Sequence, residues 1–223
     1  MNDSYPRTGR TLYLNIIWHQ HQPLYLDPGS DQLQGPWVRT HATKDYYDMT
    51  AALERYPNIH FTVNLTSSLL LQLQEYYVAR LKPFVDMKKN TVEAKKYLAA
   101  MSGKTDPWID IALKPTKSFT ERDLHFLFSN VWNAFGVSDV MLGRFPAYRT
   151  LRDKYLSGGQ DAMTEQDRRD VKFWFYAAHF DPDFLENKIR LATRHVVDLS
   201  DLIQKDGEGH YQATRTIREE DCH

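Results

Sequence analysis

Two short runs rich in β-formers, residues 11–19 (TLYLNIIWH) and 59–65 (IHFTVNL), constrain the fold of this 223-residue chain more than any other feature. The first is nearly continuous in apolar residues, the pattern of a strand buried on both faces as in a parallel sheet. Between the runs, Tyr46, Met49, Leu53 and Tyr56 recur at helical spacing. Pro57 ends that helix over residues 44–56, because proline cannot continue the hydrogen-bond ladder. Strand, long loop, helix, strand is a βαβ unit, and its two strands should lie parallel.

Everything after Ser67 reads as helix, with segments expected over residues 68–85, 93–101, 120–135, 164–179 and 186–205. Thr120/Asp123 and Thr164/Asp167 have capping-box spacing, with aspartate in place of the usual glutamate or glutamine. Gly158-Gly159 and Gly207-Glu208-Gly209 mark loops. Thr216-Ile-Arg-Glu219 has the full capping-box form, and Glu220 and Asp221 after it suit a helix N-terminus. The expected organisation is a first βαβ unit over 1–67, a helical insertion over 68–205 and the start of a truncated helix over 206–223. Two strands leave both faces and both edges of a parallel sheet uncovered, so the rest of the domain is expected to be missing.

Charge narrows the partners. Twenty-eight basic residues against 29 acidic ones leave a net charge of -1, with no field to draw the chain to nucleic acid or to a membrane surface. The apolar run around Leu69–Leu71 is far too short to span a bilayer. Residues 1–10 are polar and carry no apolar signal-peptide core, and Cys222 has no second cysteine to pair with. A reducing, cytoplasmic setting is the expectation.

The sharpest local feature is Trp18-His-Gln-His-Gln-Pro23, at the end of the first strand. Side chains alternate across a strand, so His19 and His21 share a side with Asn15, opposite Leu12, Leu14, Ile16 and Trp18. In the second strand Thr62 and Asn64 oppose Phe61, Val63 and Leu65. Three roles remain open for the histidine pair on spacing alone. Imidazoles can ligate a metal, but a third ligand is needed and Gln22 offers only a neutral amide. They can hydrogen-bond sugar hydroxyls, since imidazole and amide each donate and accept. They can also be satisfied within a polar core.

The connection from Gln20 to Ala42 is longer than most, and such loops tend to be functional. Trp37 could stack on a pyranose face, and Arg39 and His41 could bond its hydroxyls. The plainer alternative has Trp37 closing a barrel mouth and Arg39 paired with Asp45 or Asp48. No phosphate-binding glycine loop, nucleophile elbow or paired-cysteine zinc site occurs.

The strand end His19-x-His21-Gln-Pro23 resembles the first signature of glycoside hydrolase family 57. PWVRTHATKDYYDM, FTVNLTSSLLLQL, GRFPAYRTLRDK and DVKFWFYAAHFDP resemble a bacterial branch of that family along almost the whole chain. The resemblance implies an α/β fold, part of an incomplete (β/α)7 barrel with a large helical insertion. It implies a retaining hydrolase or transglycosylase acting on α-glucans as an amylase, glucanotransferase, branching enzyme or pullulanase. Retention needs two carboxyl groups about 5 Å apart. In the family a glutamate and an aspartate in later motifs supply them, and neither motif is matched here. The expected sugar-binding residues are His19, His21, Gln22, Trp37, Arg39, His41 and Asn64, with no catalytic residue in this chain and no metal or cofactor. Two alternatives stand beside this reading. Family 38 α-mannosidases bind zinc through a similar His-x-His, although Gln22-Pro23 stands where their acid would be expected. A non-catalytic carbohydrate-binding domain is the other.

Overall fold

The computed structural model describes Gly9, residues 11–191 and residues 194–223. The chain enters β1 (Ile17–Gln20) and a small hairpin of β2 (Leu26–Asp27) and β3 (Gln32–Leu33). Helices α1 (Trp37–Thr43) and α2 (Asp45–Ala51) follow, and then β4 (Thr62–Leu65). β1 and β4 pair in parallel, with Trp18 opposite Val63 and His19 opposite Asn64. The expected βαβ unit is present.

Its burial is not as expected. Leu12, Leu14 and Ile17 are exposed, as is every residue of β4. Ladder pairing is confined to four positions on each strand. A strand is buried on both faces only when layers cover both, and among the described residues no further strand joins this sheet.

Next, α3 (Ser67–Leu71) runs into a π-helical stretch, Gln72–Ala79, and a hairpin of β5 (Val85–Asp86) and β6 (Thr91–Val92). Helices α4 (Ala94–Met101) and α5 (Pro107–Leu113) follow. The single helix expected over 120–135 is two, α6 (Glu121–Phe128) and α7 (Val131–Phe135). Asn130 interrupts it, its side chain accepting from Trp132 N (2.9 Å) to start a new helix. The body is completed by α8 (Asp139–Arg144), α9 (Pro146–Gly158), α10 (Glu165–Ala178) and α11 (Pro182–Glu186). Both aspartate capping boxes form as expected, on α6 and α10.

The helix expected over 186–205 is replaced by extended pairs. β7 (Ile189–Arg190) pairs with β8 (Val196–Val197), and β9 (Ile203–Lys205) with β10 (Tyr211–Ala213), both antiparallel. Arg194 sits at φ 66° in the first of these turns, which no helix accommodates. Short apolar runs fit either period, and here tertiary packing chose strand. Thr216 caps nothing. A short 3-10 turn, Glu219–Cys222, starts later, with Asp221 accepting from Arg218 N (2.8 Å).

The main core lies in the helices rather than in the sheet. Trp108 of α5 stacks on Phe175 of α10 at 3.7 Å, and Leu127, Phe135, Leu142, Tyr148, Val171 and Trp174 are buried around them. A second core joins Leu33, Val38, Leu69, Tyr76, Tyr77 and Tyr97, and fastens the βαβ unit to the helical body. No helix among the described residues is long and apolar enough to cross a membrane.

Candidate functional site

The carboxyl end of β1 carries His19, and β4 places Asn64 beside it in register. His21 follows with its ring parallel to that of His19, centroids 5.5 Å apart and planes 11° apart. Both imidazoles are exposed, as alternation along the strand requires once Gln20 and Gln22 turn inward. They stand on an open face. A cavity of about 530 Å³ between α5, α10 and residues 198–203 includes none of these side chains.

Side chains hold the turn after His21. The Tyr46 hydroxyl accepts from Gln22 Nε2 (2.9 Å) and donates to the His21 carbonyl (3.2 Å), while Tyr25 donates to Gln22 Oε1 (2.9 Å). Ser68 Oγ donates to the Gln22 carbonyl (2.6 Å). Gln72 is wholly buried; its Nε2 donates to the Pro23 carbonyl and its Oε1 accepts from Tyr25 N, each at 2.9 Å. Burial raises the Tyr25 hydroxyl above its ordinary pKa, and the neighbouring Tyr46 adds to this.

His41 hydrogen-bonds through Nδ1 to Asp45, one helical turn on, and its ring lies 6.2 Å from that of Tyr46. Tyr46 thereby links His41 to His21 and Gln22. Trp37 and Arg39 stand apart from this group. The Trp37 indole lies over Gly35, where a Cβ would come within 2.8 Å of Nε1. Arg39 pairs not with Asp45 or Asp48 but with the buried Asp106 (3.5 Å), and its guanidinium lies 4.6 Å from the Tyr176 ring centroid. The sequence reading missed Tyr25, Tyr46, Ser68 and Gln72. In the sequence Tyr46 is one of four residues at helical spacing with Met49, Leu53 and Tyr56, and Gln72 stands inside a leucine run. A glutamine amid leucines was the available signal.

On the far side of α2 lies a carboxyl pair. Asp181 is buried at the N-cap of α11, accepting from Asp183 N (2.8 Å), and it meets Asp48, which Lys44 holds at 2.6 Å. Burial, together with the Asp48 carboxylate, pushes Asp181 up to about 6. Burial would raise Asp48 as well, but the proton on Asp181 and the Lys44 ammonium outweigh it and hold Asp48 below the usual carboxylate range. A raised folded pKa contributes stability that is full below the unfolded value of 3.8 and is lost as pH rises through about 6. Asp181→Asn keeps the N-cap and removes the ionisation. It is expected to stabilise the chain at pH 7.5 and to flatten the fall in urea midpoint between pH 4 and pH 7. A variant less stable than wild type at pH 7.5 contradicts this.

Among the described residues, no three His, Cys, Asp or Glu side chains converge where a metal ion could sit. The site's polar groups are imidazoles, amides and phenols, with the Asp45 carboxylate bonded to His41, and such donors and acceptors suit neutral hydroxyl-bearing ligands. No curated protein and no solved structure matches the chain. The family model described as glycosyl hydrolase family 57 matches residues 15–206, which span β1, the side-chain network behind it and the whole helical body. This chain, with its paired imidazoles at the end of a parallel strand, belongs to glycosyl hydrolase family 57.

Proposed function

We propose that this chain provides the first βαβ unit and the helical insertion of a retaining hydrolase or transglycosylase acting on α-glucans. His19, His21, His41 and Asn64 form its sugar-binding face, and Gln22, buried behind the turn with both ends of its amide bonded to tyrosines, supports it from within. The observation that carries this reading is the exposed, parallel imidazole pair beside Asn64 at the carboxyl end of the strand pair, the end where barrel enzymes bind substrate. Family membership supports a carbohydrate as the substrate class. The resemblance of this chain's segments to a branch of the family that acts on α-glucans supports the narrower choice. Trp37, packed over Gly35, and Arg39, paired with the buried Asp106, stand apart from this face and are not part of the proposed site.

The catalytic carboxyl groups belong, in this proposal, to further strands that cover the sheet. The support is the sheet itself, whose apolar side chains Ile17, Val63 and Leu65 stand exposed, as do Leu12 and Leu14 in the segment that leads into it. Burying such a surface is favourable by about 25 cal/mol per Å², which gives those strands a ready place to pack. A cytoplasmic setting is part of the same reading, resting on the single cysteine.

The test is titration calorimetry with maltoheptaose. Wild type is expected to bind, and His21→Ala to weaken binding by about 1–3 kcal/mol for one lost hydrogen bond to a polar ligand group. Unaltered affinity in His21→Ala removes the imidazole pair from the site. Release of reducing sugar from maltodextrin by the 223-residue chain would contradict the placement of the carboxyl groups elsewhere.

A further inference from the structure

We infer that Tyr46, Ser68 and Gln72 are positioning residues that hold residues 21–25 in a sugar-binding shape, an inference that rests on the sugar-site reading above. Backbone groups leaving a strand must find partners, and most turns supply these from their own backbone. This one does not. The carbonyls of His21, Gln22 and Pro23 accept from Tyr46, Ser68 and Gln72 respectively, and Tyr25 N donates to Gln72.

The consequence is geometric. A turn closed by its own hydrogen bonds has a fixed shape but can pivot as a unit. A turn bonded to three side chains on α2, α3 and the π-helical stretch is fixed relative to those elements. His21 is thereby held against α2, which carries Asp45 and Tyr46, and against α3, which follows directly from β4 and Asn64. Ligand-facing groups need this kind of support from behind, since a displacement of about 1 Å is enough to spoil a binding constellation.

Gln72 is the deepest member. Its amide is wholly buried, and Nε2 donates to both the Pro23 and Ser68 carbonyls at 2.9 Å. Gln72 also opens the π-helical stretch, a rare widening of the helix that occurs frequently at functional sites. Pro23 has no N–H, so the turn cannot recruit a backbone donor at that position. Gln22 completes the arrangement, since its buried amide is used at both ends by Tyr25 and Tyr46.

The test uses the full chain, maltoheptaose and the imidazole Cε1–H signal of His21 observed by NMR. Tyr46→Phe removes one hydroxyl and keeps the ring. Its maltoheptaose affinity is expected to fall about tenfold, with the His21 signal shifted and broadened before sugar is added. Gln72→Glu is the second variant, expected to show the same pair of effects more strongly. Should Gln72→Glu fail to fold, Tyr46→Phe alone decides. Wild-type affinity and an unmoved His21 signal in Tyr46→Phe overturn the inference. A wild-type chain that binds no maltoheptaose overturns the sugar reading instead. In that case the His21 signal in the sugar-free variants still tests positioning, and a signal identical to wild type overturns it too.

Discussion

Replacing Arg39 by alanine is expected to destabilise the chain by about 3–5 kcal/mol, the usual cost of removing one partner from a buried charge pair. The Asp106 side chain is fully buried and that of Arg39 is 14% exposed. Asp106 also accepts from Ile109 N (3.0 Å), capping α5, and from the Tyr77 hydroxyl (2.8 Å). Arg39 Nη2 bonds the Tyr176 hydroxyl at 3.3 Å. In the alanine variant the Asp106 carboxylate stays buried without its countercharge, and two tyrosine rings lose the guanidinium packed against them. The loss of countercharge outweighs the loss of packing, because an unpaired buried carboxylate costs far more than the contact of a guanidinium with two rings. Arg39→Met with Asp106→Asn keeps the bulk and the cap while removing both charges. It should therefore be far less destabilised than the sum of the single changes. Urea midpoints at constant slope measure both. A loss below about 1 kcal/mol in Arg39→Ala would show the pair to be solvent-screened and would free Arg39 to meet a ligand.

Glu219→Ala is the second large change, expected to cost about 3 kcal/mol at neutral pH by leaving a buried ammonium unpaired. The Lys172 side chain has no exposed surface, and its Nζ bonds Glu219 Oε2 and the Lys114 carbonyl, both at 2.9 Å. Glu219 Oε1 accepts in addition from Arg169 Nε (2.8 Å) and Thr116 N (2.9 Å). Burial alone would raise the Glu219 carboxyl. The Thr116 amide, Arg169 and Lys172 outweigh it and bring the group down to about 2. A depressed pKa contributes stability that is present above the unfolded value of 4.5 and is lost as pH falls through about 2. The stability gap between wild type and variant should thus be full at pH 7 and shrink between pH 4.5 and pH 2. A gap as wide at pH 2.5 as at pH 7 would mean that packing, and not the carboxylate, ties the 3-10 turn to α10.

Both predictions concern residues that sequence reading could not join. Arg39 and Asp106 lie in segments with no shared local pattern, as do Glu219 and Lys172, and only the packing of α1 on α5 and of the last turn on α10 brings them together. The candidate site divides in the same way. Alternation along residues 17–21 was enough to put His19 and His21 on one side, and the βαβ order was enough to make the strands parallel. The exact partner of His19 was not legible, because register depends on where the chain returns after α2. The helix expected over residues 186–205 was misread for a related reason. Its apolar residues, such as Ile189, Val196 and Val197, satisfy a helical period as well as an extended one, and the choice depends on what they pack against.

By itself the sequence determined the local, periodic features: the parallel pair, the inward and outward faces of β1, and the helix starts at Thr120 and Thr164, each closed by a side chain three residues away. Tertiary structure decided which polar side chains act together. It joined Tyr46, Ser68 and Gln72 behind His21, sent Arg39 into the core, and left the sheet's apolar side chains exposed. Local hydrogen bonding and side-chain period are written in neighbouring residues, whereas burial and charge pairing depend on which distant surfaces meet.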